Sequence, residues 1–410
     1  MKVLALNCGS SSVRCQLIET SVAASEANCD RRLGRVLIER IGTPEAEVRV
    51  ETGSGAPSRS PRKIADHHEA IAAAVSLLKA DHDIEAVGHR VVHGGVKFSA
   101  PAELDDAVAR EIEELSELAP LHNPANLMGY RAARAVLPRA RHVAVFDTAF
   151  HQTLEPRAYV YGLPDAVWRK YGVRRYGFHG SSHRYVAGRY AQLHGHARDD
   201  YKLITCHLGN GCSIAAVHGG KSMDTSMGFT PLEGLLMGTR CGDVDAGAVL
   251  HIMAKEGLTP ERMDHLLNRQ SGLYGLSAAS NDMRELLELR QRGHAGAELA
   301  IETFCYRVKK YIGAYYAVLN GCDGVIFTGG IGENAPAIRT AICAPLDALG
   351  IRIDADRNAR AVGIEMNIAA EDSRVDVWVA PTDEGLVIAR DTVSCLEAVG
   401  ATRQPGGESS

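Results

Sequence analysis

The sequence lacks the patterns that mark several large classes of protein. No apolar stretch approaches the roughly 18–20 residues of a membrane span, and no charged-then-apolar leader precedes the first predicted strand at Lys2. Acidic and basic side chains are interspersed, and the formal net charge is −5, so no basic stripe offers itself to nucleic acid or anionic lipid. These absences predict a cytoplasmic protein that binds neither nucleic acid nor membranes.

Paired metal-binding and redox cysteines are also missing. The ten cysteines form no C-x-x-C pair and no cysteine–histidine spacing that is typical of a metal site. We therefore expect reduced, mostly structural thiols. Cys8 and Cys212 lie in the two loops described next, where they could confer sensitivity to thiol reagents, but no nucleophilic role follows from that position.

What the sequence does contain is a repeated strand–loop–strand pattern. Residues 3–14 and 203–214 each place a small, polar, glycine-containing loop between two apolar runs of strand length. Backbone N–H groups and hydroxyls in such a loop can close on an anion, which predicts two phosphate-binding hairpins and a duplicated nucleotide-binding fold. The alternative is chance, because Gly/Ser turns between strands are common and most bind no phosphate.

The rest of the chain alternates strand-like and helix-like segments, among them a predicted helix over Arg62–Ala80 and a predicted strand over Gly324–Thr328. This alternation predicts an α/β fold with a mixed sheet. A length of 410 residues suits two domains. We place the boundary near residue 150, giving domains over 1–150 and 151–384. The last helix, about 385–399, is expected to return to the first domain, and residues 400–410 are expected to form a disordered tail.

Four further glycine-rich clusters follow predicted strands or lie in loops, at residues 88–95, 176–183, 227–243 and 329–334. For the first two, a local ion pair or a core histidine is the simpler interpretation. Core packing does not need the glycines of the third, which favours function there. The fourth has neither the G-x-G-x-x-G nor the G-x-x-x-x-G-K-[ST] spacing, although glycines between a strand and a helix can admit a nucleotide.

Phosphoryl transfer needs cations around the moving group and oxygen ligands for a divalent metal, and the sequence offers both. Arg90, His179 and Arg240 supply cations, whereas Asn7 and Glu384 supply oxygen ligands that suit magnesium. The residues alone therefore predict phosphate chemistry on a duplicated α/β fold.

Taken in order, six motifs resemble those of the acetate kinase family, which belongs to the acetate and sugar kinase, Hsp70 and actin superfamily. The resemblance runs from Lys2 to about Val399. The motifs are Asn7-x-Gly-Ser-Ser-Ser, Gly-His-Arg90-Val-Val-His-Gly-Gly, Phe178-His179-Gly-x-Ser-His, His207-Leu-Gly-Asn-Gly, Met-Gly-Thr-Arg240-Cys-Gly-Asp and Gly330-Ile-Gly-Glu-Asn.

The resemblance implies two duplicated actin-like (ribonuclease H-like) domains around a nucleotide cleft. It further implies a homodimeric ATP:acetate phosphotransferase that forms acetyl phosphate and ADP and uses Mg²⁺, for which Mn²⁺ can substitute. Asn7 and Glu384 match the metal ligands, and Asp147, His179 and Arg240 match the catalytic residues. The implied substrate contacts are Arg90, Val92, Leu121, His122, Phe178 and Pro231. The implied nucleotide contacts are Ser10, Ser12, Arg14, His207, Leu208, Gly209, Asn210, Gly211, Asp282, Met283, Arg284, Gly330, Ile331, Gly332, Glu333 and Asn334.

The sequence departs from the family pattern at a few positions. Arg14 stands where the family has lysine, Asp383 where it generally has asparagine, and Cys8 and Cys212 replace small residues. Two other functions remain open. One is a propionate or other short-chain acyl kinase, and the other is an actin-like or Hsp70-like ATPase that acts as a switch.

Overall fold

The structure, a computed structural model, describes residues 1–52, 57–79, 83–120, 122–195 and 201–402. The chain forms two compact units. The first contains Met1–Ala149 together with the segment from Asp383 onward, and the second contains Phe150–Thr382. The chain thus leaves the first unit next to the predicted boundary at residue 150 and returns two residues before the predicted final helix.

The secondary structure alternates strands and helices along most of the chain. The strands are β1 (Lys2–Cys8), β2 (Ser12–Glu19), β3 (Arg31–Glu39), β4 (Ala46–Thr52), β5 (Ser58–Arg62), β6 (Ala86–Val91), β7 (Ala102–Glu103), β8 (Arg141–Phe146), β9 (Lys202–Leu208), β10 (Cys212–His218), β11 (Lys221–Thr225), β12 (Gly324–Thr328), β13 (Met366–Asn367) and β14 (Asp376–Val379). The helices are α1 (Val22–Ala27), α2 (His67–Lys79), α3 (Asp106–Glu114), α4 (Asn123–Val136), α5 (Pro156–Tyr159), α6 (Asp165–Tyr171), α7 (Gly180–His194), α8 (Ala246–Glu256), α9 (Pro260–Arg269), α10 (Gly272–Ser277), α11 (Met283–Gln291), α12 (Ala295–Leu319), α13 (Gly329–Asn334), α14 (Pro336–Cys343), α15 (Ala355–Arg360) and α16 (Glu384–Thr402). Short 3-10 helices lie at Leu115–Glu117, Ala149–Thr153 and Asp347–Leu349.

The sheet of the first unit has the strand order β5-β4-β3-β2-β1-β6-β8-β7. Alternate side chains of β1 enter different cores, as the period of two in a strand requires. Leu4 and Leu6 pack with residues of α2 and α4, whereas Val3 and Ala5 pack with Ile388 and other residues of α16. The first sheet is therefore covered by helices on both faces at its centre.

The second unit repeats this arrangement. Its sheet has the order β11-β10-β9-β12-β14-β13. In it β9 and β10 form an antiparallel hairpin, and β12 and β14 follow parallel to β9. In the first unit β1 and β2 form the corresponding hairpin, and β6 and β8 follow parallel to β1. The predicted duplicated α/β fold is thereby confirmed.

Some element boundaries differ from the sequence predictions. The helix predicted to begin at Arg62 begins at His67, because Arg62 ends the edge strand β5. Pro61 lies in this strand, and an edge strand is where a residue without an N–H is tolerated in a sheet. Helix α16 extends to Thr402, into the predicted tail, and residues 403–410 lie outside the described part. Within the described ranges, we find no helix with the length and apolar character that crossing a membrane would demand.

Gly88 on β6 sets how closely α16 approaches the first sheet. A Cβ on Gly88 would lie 2.2 Å from Thr392 Oγ1 and 2.6 Å from Ile388 Cγ2. Both residues belong to α16, the helix that begins with Glu384. Glycine at position 88 therefore allows this helix to pack closely against β6.

We expect Gly88→Ala to destabilise the protein by about 1–3 kcal/mol, the typical cost of overpacking a core. Gly188→Ala is the matched control, because Gly188 lies inside α7 with no atom within 4 Å of its added Cβ. Alanine favours a helix over glycine by about 1 kcal/mol, so the control should gain stability. Thermal unfolding of both variants tests this, and equal melting temperatures would contradict it.

Candidate active site

In the first unit, the ends of two parallel strands bring Arg90 and Asp147 together. β6 and β8 pair so that Val91 lies beside Phe146. Arg90 Nε donates to both carboxylate oxygens of Asp147 at 3.0 Å, and Arg90 Nη2 donates to Asp147 Oδ2 at 2.6 Å. Asp147 is almost fully buried. The pair is therefore a two-pronged contact that fixes the plane of the guanidinium and does not use its Nη1 hydrogens.

The carboxylate of Glu384 acts on both members of this pair. Burial lowers the pKa of Arg90, but the carboxylates of Asp147 and Glu384 outweigh it and hold that pKa above its usual value. Burial raises the pKa of Asp147, Arg90 lowers it and Glu384 raises it, with a net rise. Two carboxylates thus crowd one site, which favours a cation beside them.

The predicted magnesium ligands belong to the same edge of the first sheet. Asn7 lies near the end of β1, the strand that pairs with β6, and Glu384 opens α16. Gln16 Oε1 is buried without a hydrogen-bond partner among the described residues, and the Gln16 amide lies against Gly385. Oxygen donors next to an unused buried acceptor suit a hydrated Mg²⁺, which keeps several of its waters in proteins. Grouped His, Cys, Asp or Glu ligands, three or more together, are not found in the described ranges, so this site would need phosphate and water to complete it.

The extra carboxylate at Asp383 has a structural role. Its Oδ1 accepts from the N–H of Leu386 at 3.0 Å, and its Oδ2 lies 3.8 Å from Arg32 Nη1. Asp383 therefore caps the start of α16, as aspartate commonly does at a helix N-terminus. This accounts for the departure from asparagine, since either residue can accept that hydrogen bond.

The loop of the first hairpin is closed by its own backbone. The N–H of Gly9 donates to the carbonyl of Ser12 at 2.8 Å, and Asn126 Nδ2 donates to the carbonyl of Cys8 at 2.9 Å. Ser10 is exposed, Ser12 is half-buried, and Arg14 lies exposed on β2 opposite Asn7. The loop thus presents the predicted phosphate-binding side chains on a fixed turn.

In the second unit, three separate segments line one pocket of about 480 Å³. Its walls include predicted nucleotide contacts from residues 209–210, 282–284, 330–331 and 334, whereas Gly332 and Glu333 are not among the lining residues. Asn281, Leu287 and Ala335 also line it and were missed by the sequence analysis. Asn281 Nδ2 donates to Asn210 Oδ1 at 3.1 Å and so ties two of the segments together. Volume and lining fit a nucleoside better than a phosphate alone.

Helix α13, which carries the residues 330–334, is held at both ends. Gly329 has a φ of +75°, and a Cβ there would meet the backbone of Leu208 at 2.8 Å, so only glycine fits. Glu333 Oε1 accepts from the N–H of Gly329 at 2.9 Å and of Thr382 at 3.1 Å. Oε1 of Glu333 is thus engaged within the protein, and the predicted contact of Glu333 with the nucleotide stays a prediction.

His179 and Arg240 meet at the second hairpin loop. A Cβ on Gly211 would lie 3.4 Å from His179 Nε2 and 3.5 Å from Arg240 Nη1. The ring of His179 stacks on that of His207 at 4.3 Å between centroids. Arg240 Nη1 donates to the carbonyl of Pro231 at 3.2 Å, which steadies the guanidinium. Two potential cations therefore face one glycine of the predicted phosphate loop.

The segment that carries Arg240 also touches the neighbouring loop residue. The N–H of Gly238 donates to the carbonyl of Asn210 at 2.9 Å. A Cβ on Gly238 would lie 1.9 Å from Asn210 Oδ1. A side chain at position 238 would therefore have to displace the Asn210 amide, which is exposed and accepts a hydrogen bond from Asn281 Nδ2.

The predicted substrate contacts are divided between the two units. Val92 is buried after β6, where its N–H donates to Asn126 Oδ1 at 3.1 Å, and His122 precedes α4. In the second unit Phe178 is buried, with its carbonyl 3.1 Å from His151 Nε2, and Pro231 lies in the segment before Arg240. The prediction for Leu121 lies outside the described residues.

Neither loop cysteine has the character of a reactive thiol. Both are buried, and burial raises the pKa of Cys8 and of Cys212 to about 12. A thiol reacts as its thiolate, so both should be inert in the folded protein near neutral pH. Cys8 fits its loop because Gly129 leaves room: a Cβ on Gly129 would lie 2.6 Å from that of Cys8.

Comparison with known proteins identifies the family. A family model described as the acetokinase family matches residues 2–390. Acetate kinase from Methanosarcina thermophila is 48% identical over 97% of both chains, and acetate kinase from Thermotoga maritima is 47% identical over 98% of this chain and all of its own. The crystal structure of Porphyromonas gingivalis acetate kinase superposes with a TM-score of 0.89 at 43% identity, over 96% of this chain and 99% of the other. A propionate kinase from Francisella tularensis superposes with a TM-score of 0.88 at 39% identity, over 96% and 99%. The protein described here belongs to the acetokinase family, on an actin-like fold.

Proposed function

We propose that this protein, as an acetate kinase, transfers the γ-phosphoryl group of ATP directly and in line to acetate, forming acetyl phosphate and ADP, and catalyses the reverse reaction. The carrying observation is the convergence of His179 and Arg240 on Gly211, next to the pocket lined by the three predicted nucleotide-binding segments. Cations fixed beside a phosphate loop stabilise the charge that spreads over a transferring phosphoryl group.

The nucleotide is proposed to occupy the pocket of the second unit. Its phosphates would contact the loop at residues 207–211, and the hairpin loop with Ser10 and Ser12 would supply further donors, with Arg14 behind them on β2. The short turns of both loops place backbone N–H groups where they can meet an anion.

Acetate needs no general base in this mechanism. Model carboxyl groups titrate near pH 4, so acetate is already ionised at pH 7. Arg90 is proposed to hold the acetate carboxylate through the hydrogens that Asp147 leaves unused, while Asp147 fixes the guanidinium plane. Asp147 therefore orients Arg90 and accepts no proton.

Magnesium is proposed to be held by Asn7 and Glu384, with water and phosphate oxygens as its other ligands. When bound, it would neutralise negative charge on the phosphates of the nucleotide. Glu384 lies close enough to Asp147 to raise the pKa of that carboxyl, which supports a cation at that edge of the sheet.

A homodimer is proposed on the resemblance and on the exposed apolar side chains of the second unit. Leu250, Leu299 and Tyr306 are each more than half exposed, an unusual cost for large apolar groups in water. Sedimentation would distinguish a dimer from a 44.0 kDa monomer. The cytoplasmic location expected from the sequence stays a prediction.

Arg240→Ala should abolish most activity without unfolding the protein. Removing one preorganised donor typically costs about 10²–10³ in rate, or 2.7–4 kcal/mol. The assay is acetohydroxamate formation from acetate, MgATP and hydroxylamine, which traps acetyl phosphate. Arg131→Ala is the control, because Arg131 forms an exposed ion pair with Glu113. Near-normal turnover of folded Arg240→Ala would refute the mechanism, and no hydroxamate from the wild type would favour an ATPase switch.

Asp147→Asn should lower kcat/KM by roughly 10²–10³-fold, the cost of misplacing a preorganised cation. The variant keeps the size of the side chain but loses the charge that orients Arg90. The acid limb of the pH–rate profile should survive, because no proton acceptor has been removed. Extra magnesium should restore part of the turnover, because the variant also removes one of the two carboxylates that favour a cation at this edge of the sheet. If that limb disappears, Asp147 is the titrating group.

Acetate should be preferred to propionate, because Val92, buried two residues after Arg90, is proposed to fill the space that a longer acyl chain needs. One methylene in an apolar pocket is worth about 1–3 kcal/mol, or 10–200-fold, so propionate should be a poor substrate. Val92→Ala should raise kcat/KM for propionate relative to acetate, mainly through a lower KM. The comparison with a propionate kinase makes this test necessary. A wild type that prefers propionate, or an unchanged ratio in the variant, would move the assignment to a propionate kinase.

A further inference from the structure

A chain of hydrogen bonds between buried polar side chains leads from His179 into the interior of the second unit. His179 Nδ1 lies 2.9 Å from Ser213 Oγ, and the same oxygen lies 2.7 Å from His183 Nε2. On the other side of its ring, His183 Nδ1 lies 2.7 Å from Thr205 Oγ1. The Thr205 hydroxyl donates to the carbonyl of Ala215 at 3.4 Å. We call the three residues Ser213, His183 and Thr205 the relay.

The sheet and one helix bring these residues together. In the β9–β10 hairpin Ser213 lies opposite His207, and Ala215 lies opposite Thr205, so Thr205 and Ser213 face the same side. His183 lies one turn after His179, with its N–H donating to the His179 carbonyl at 3.1 Å. All three relay residues are fully buried. Hydrogen bonds in such surroundings are stronger than in water, and an unpaired group there is costly.

The number of hydrogens available fixes the direction of these hydrogen bonds. Burial, followed by the nearby His151 and His207, lowers the pKa of His183 well below its usual value, so its ring is neutral and has one donor and one acceptor nitrogen. Because the Thr205 hydroxyl donates to a carbonyl, its oxygen accepts from His183 Nδ1–H. His183 Nε2 is then the acceptor and takes the single hydrogen of the Ser213 hydroxyl. Ser213 Oγ is left to accept from His179 Nδ1–H.

We propose that Ser213 is a positioning residue for His179, and that the relay keeps a proton on His179 Nδ1. The proposal deepens the proposed function and rests on it. With Nδ1 committed to the interior, Nε2 is the nitrogen on the side of Gly211. Nε2 can donate to a phosphoryl oxygen only when the ring carries a second proton. His179 therefore acts on the phosphoryl group as an imidazolium, and its neutral form would present a lone pair to an anion.

Kinetics of Ser213 variants test the positioning role. Ser213→Ala should lower kcat by about 10–100-fold, the usual scale for losing a partner that orients a functional histidine. KM for ATP and for acetate should stay unchanged, because the lost interaction is made in the transition state. Ser213→Thr keeps the hydroxyl and should restore most of the activity. Thr392→Val, which removes a buried hydroxyl from α16, should leave kcat unchanged.

A double-mutant cycle separates this role from a general structural one. In a His179→Ala background, Ser213→Ala should have no further effect on kcat, because Ser213 acts through a ring that is no longer there. Additive losses, or a change in KM without a change in kcat, would overturn the proposal. If Ser213→Ala does not fold, Thr205→Val serves instead, because it removes the far hydroxyl of the relay and keeps the shape of the side chain.

The protonated nitrogen can be observed directly. Long-range proton–nitrogen spectra of protein labelled with ¹⁵N-histidine, recorded where His179 is neutral and assigned with His179→Ala, should show His179 protonated on Nδ1. Thr205→Val removes the acceptor of His183 Nδ1–H, so His183 can move its proton to Nε2 and the Ser213 hydroxyl can then donate to His179 Nδ1. The Nε2-protonated form of His179 should therefore become populated in Thr205→Val, whereas Thr205→Ser keeps the hydroxyl and should behave like the wild type. Wild-type His179 protonated on Nε2 would refute the relay. Absence of acetohydroxamate would refute the proposed function alone, because these spectra do not depend on turnover.

Discussion

The register of parallel strands is the constraint on which the candidate residues of each unit depend. In the first unit β1, β6 and β8 lie side by side, and their carboxyl ends carry Asn7, Arg90 and Asp147. In the second unit β9 and β12 pair in the same sense, and the loop after β9 lies against Gly329, where α13 begins. Side chains at the ends of neighbouring parallel strands point to one edge of the sheet, so residues far apart in sequence become neighbours. A slip of one residue in either sheet would turn these side chains to the opposite face.

The protein buries guanidinium groups in two different ways. Arg90 is paired with a carboxylate and keeps hydrogens for a ligand. Arg339 is fully buried and instead donates to carbonyl groups, among them those of Gly332 and Ala361. Burial lowers the pKa of Arg339 to about 10, which leaves the guanidinium protonated near neutral pH. Carbonyl dipoles satisfy the donors of Arg339 and tie α13 to α15. The first arrangement suits a residue that must meet an anion, and the second suits one that must hold a backbone still.

The sequence predicted those features that depend on residues close together in the chain. The two hairpins, the mixed sheet and the strand at residues 324–328 follow from apolar runs and glycine positions, and the duplicated fold is confirmed by the matching strand orders. The strand β5 was not recognised, because it is a short polar edge strand without a hydrophobic pattern. The neighbouring β4 was not recognised either, because only its first three residues are buried and charged residues interrupt its apolar ones. Asn281 could have been noticed as an amide beside the predicted contact Asp282. The relay could not, because its members meet only through the pairing of β9 with β10 and the packing of α7, which no local spacing records.

The contact between Gly238 and Asn210 bears on how such an enzyme can diverge. The second hairpin loop and the segment that carries Arg240 are separate stretches of chain, yet the side chain of Asn210 occupies the space that a Cβ at position 238 would take. A larger residue at position 238 would have to move the Asn210 amide away from Asn281, unless a smaller residue at position 210 made room for it. The two positions are therefore expected to change together through descent. A change at position 238 alone would disturb the contact between the second hairpin loop and the segment that carries Arg240.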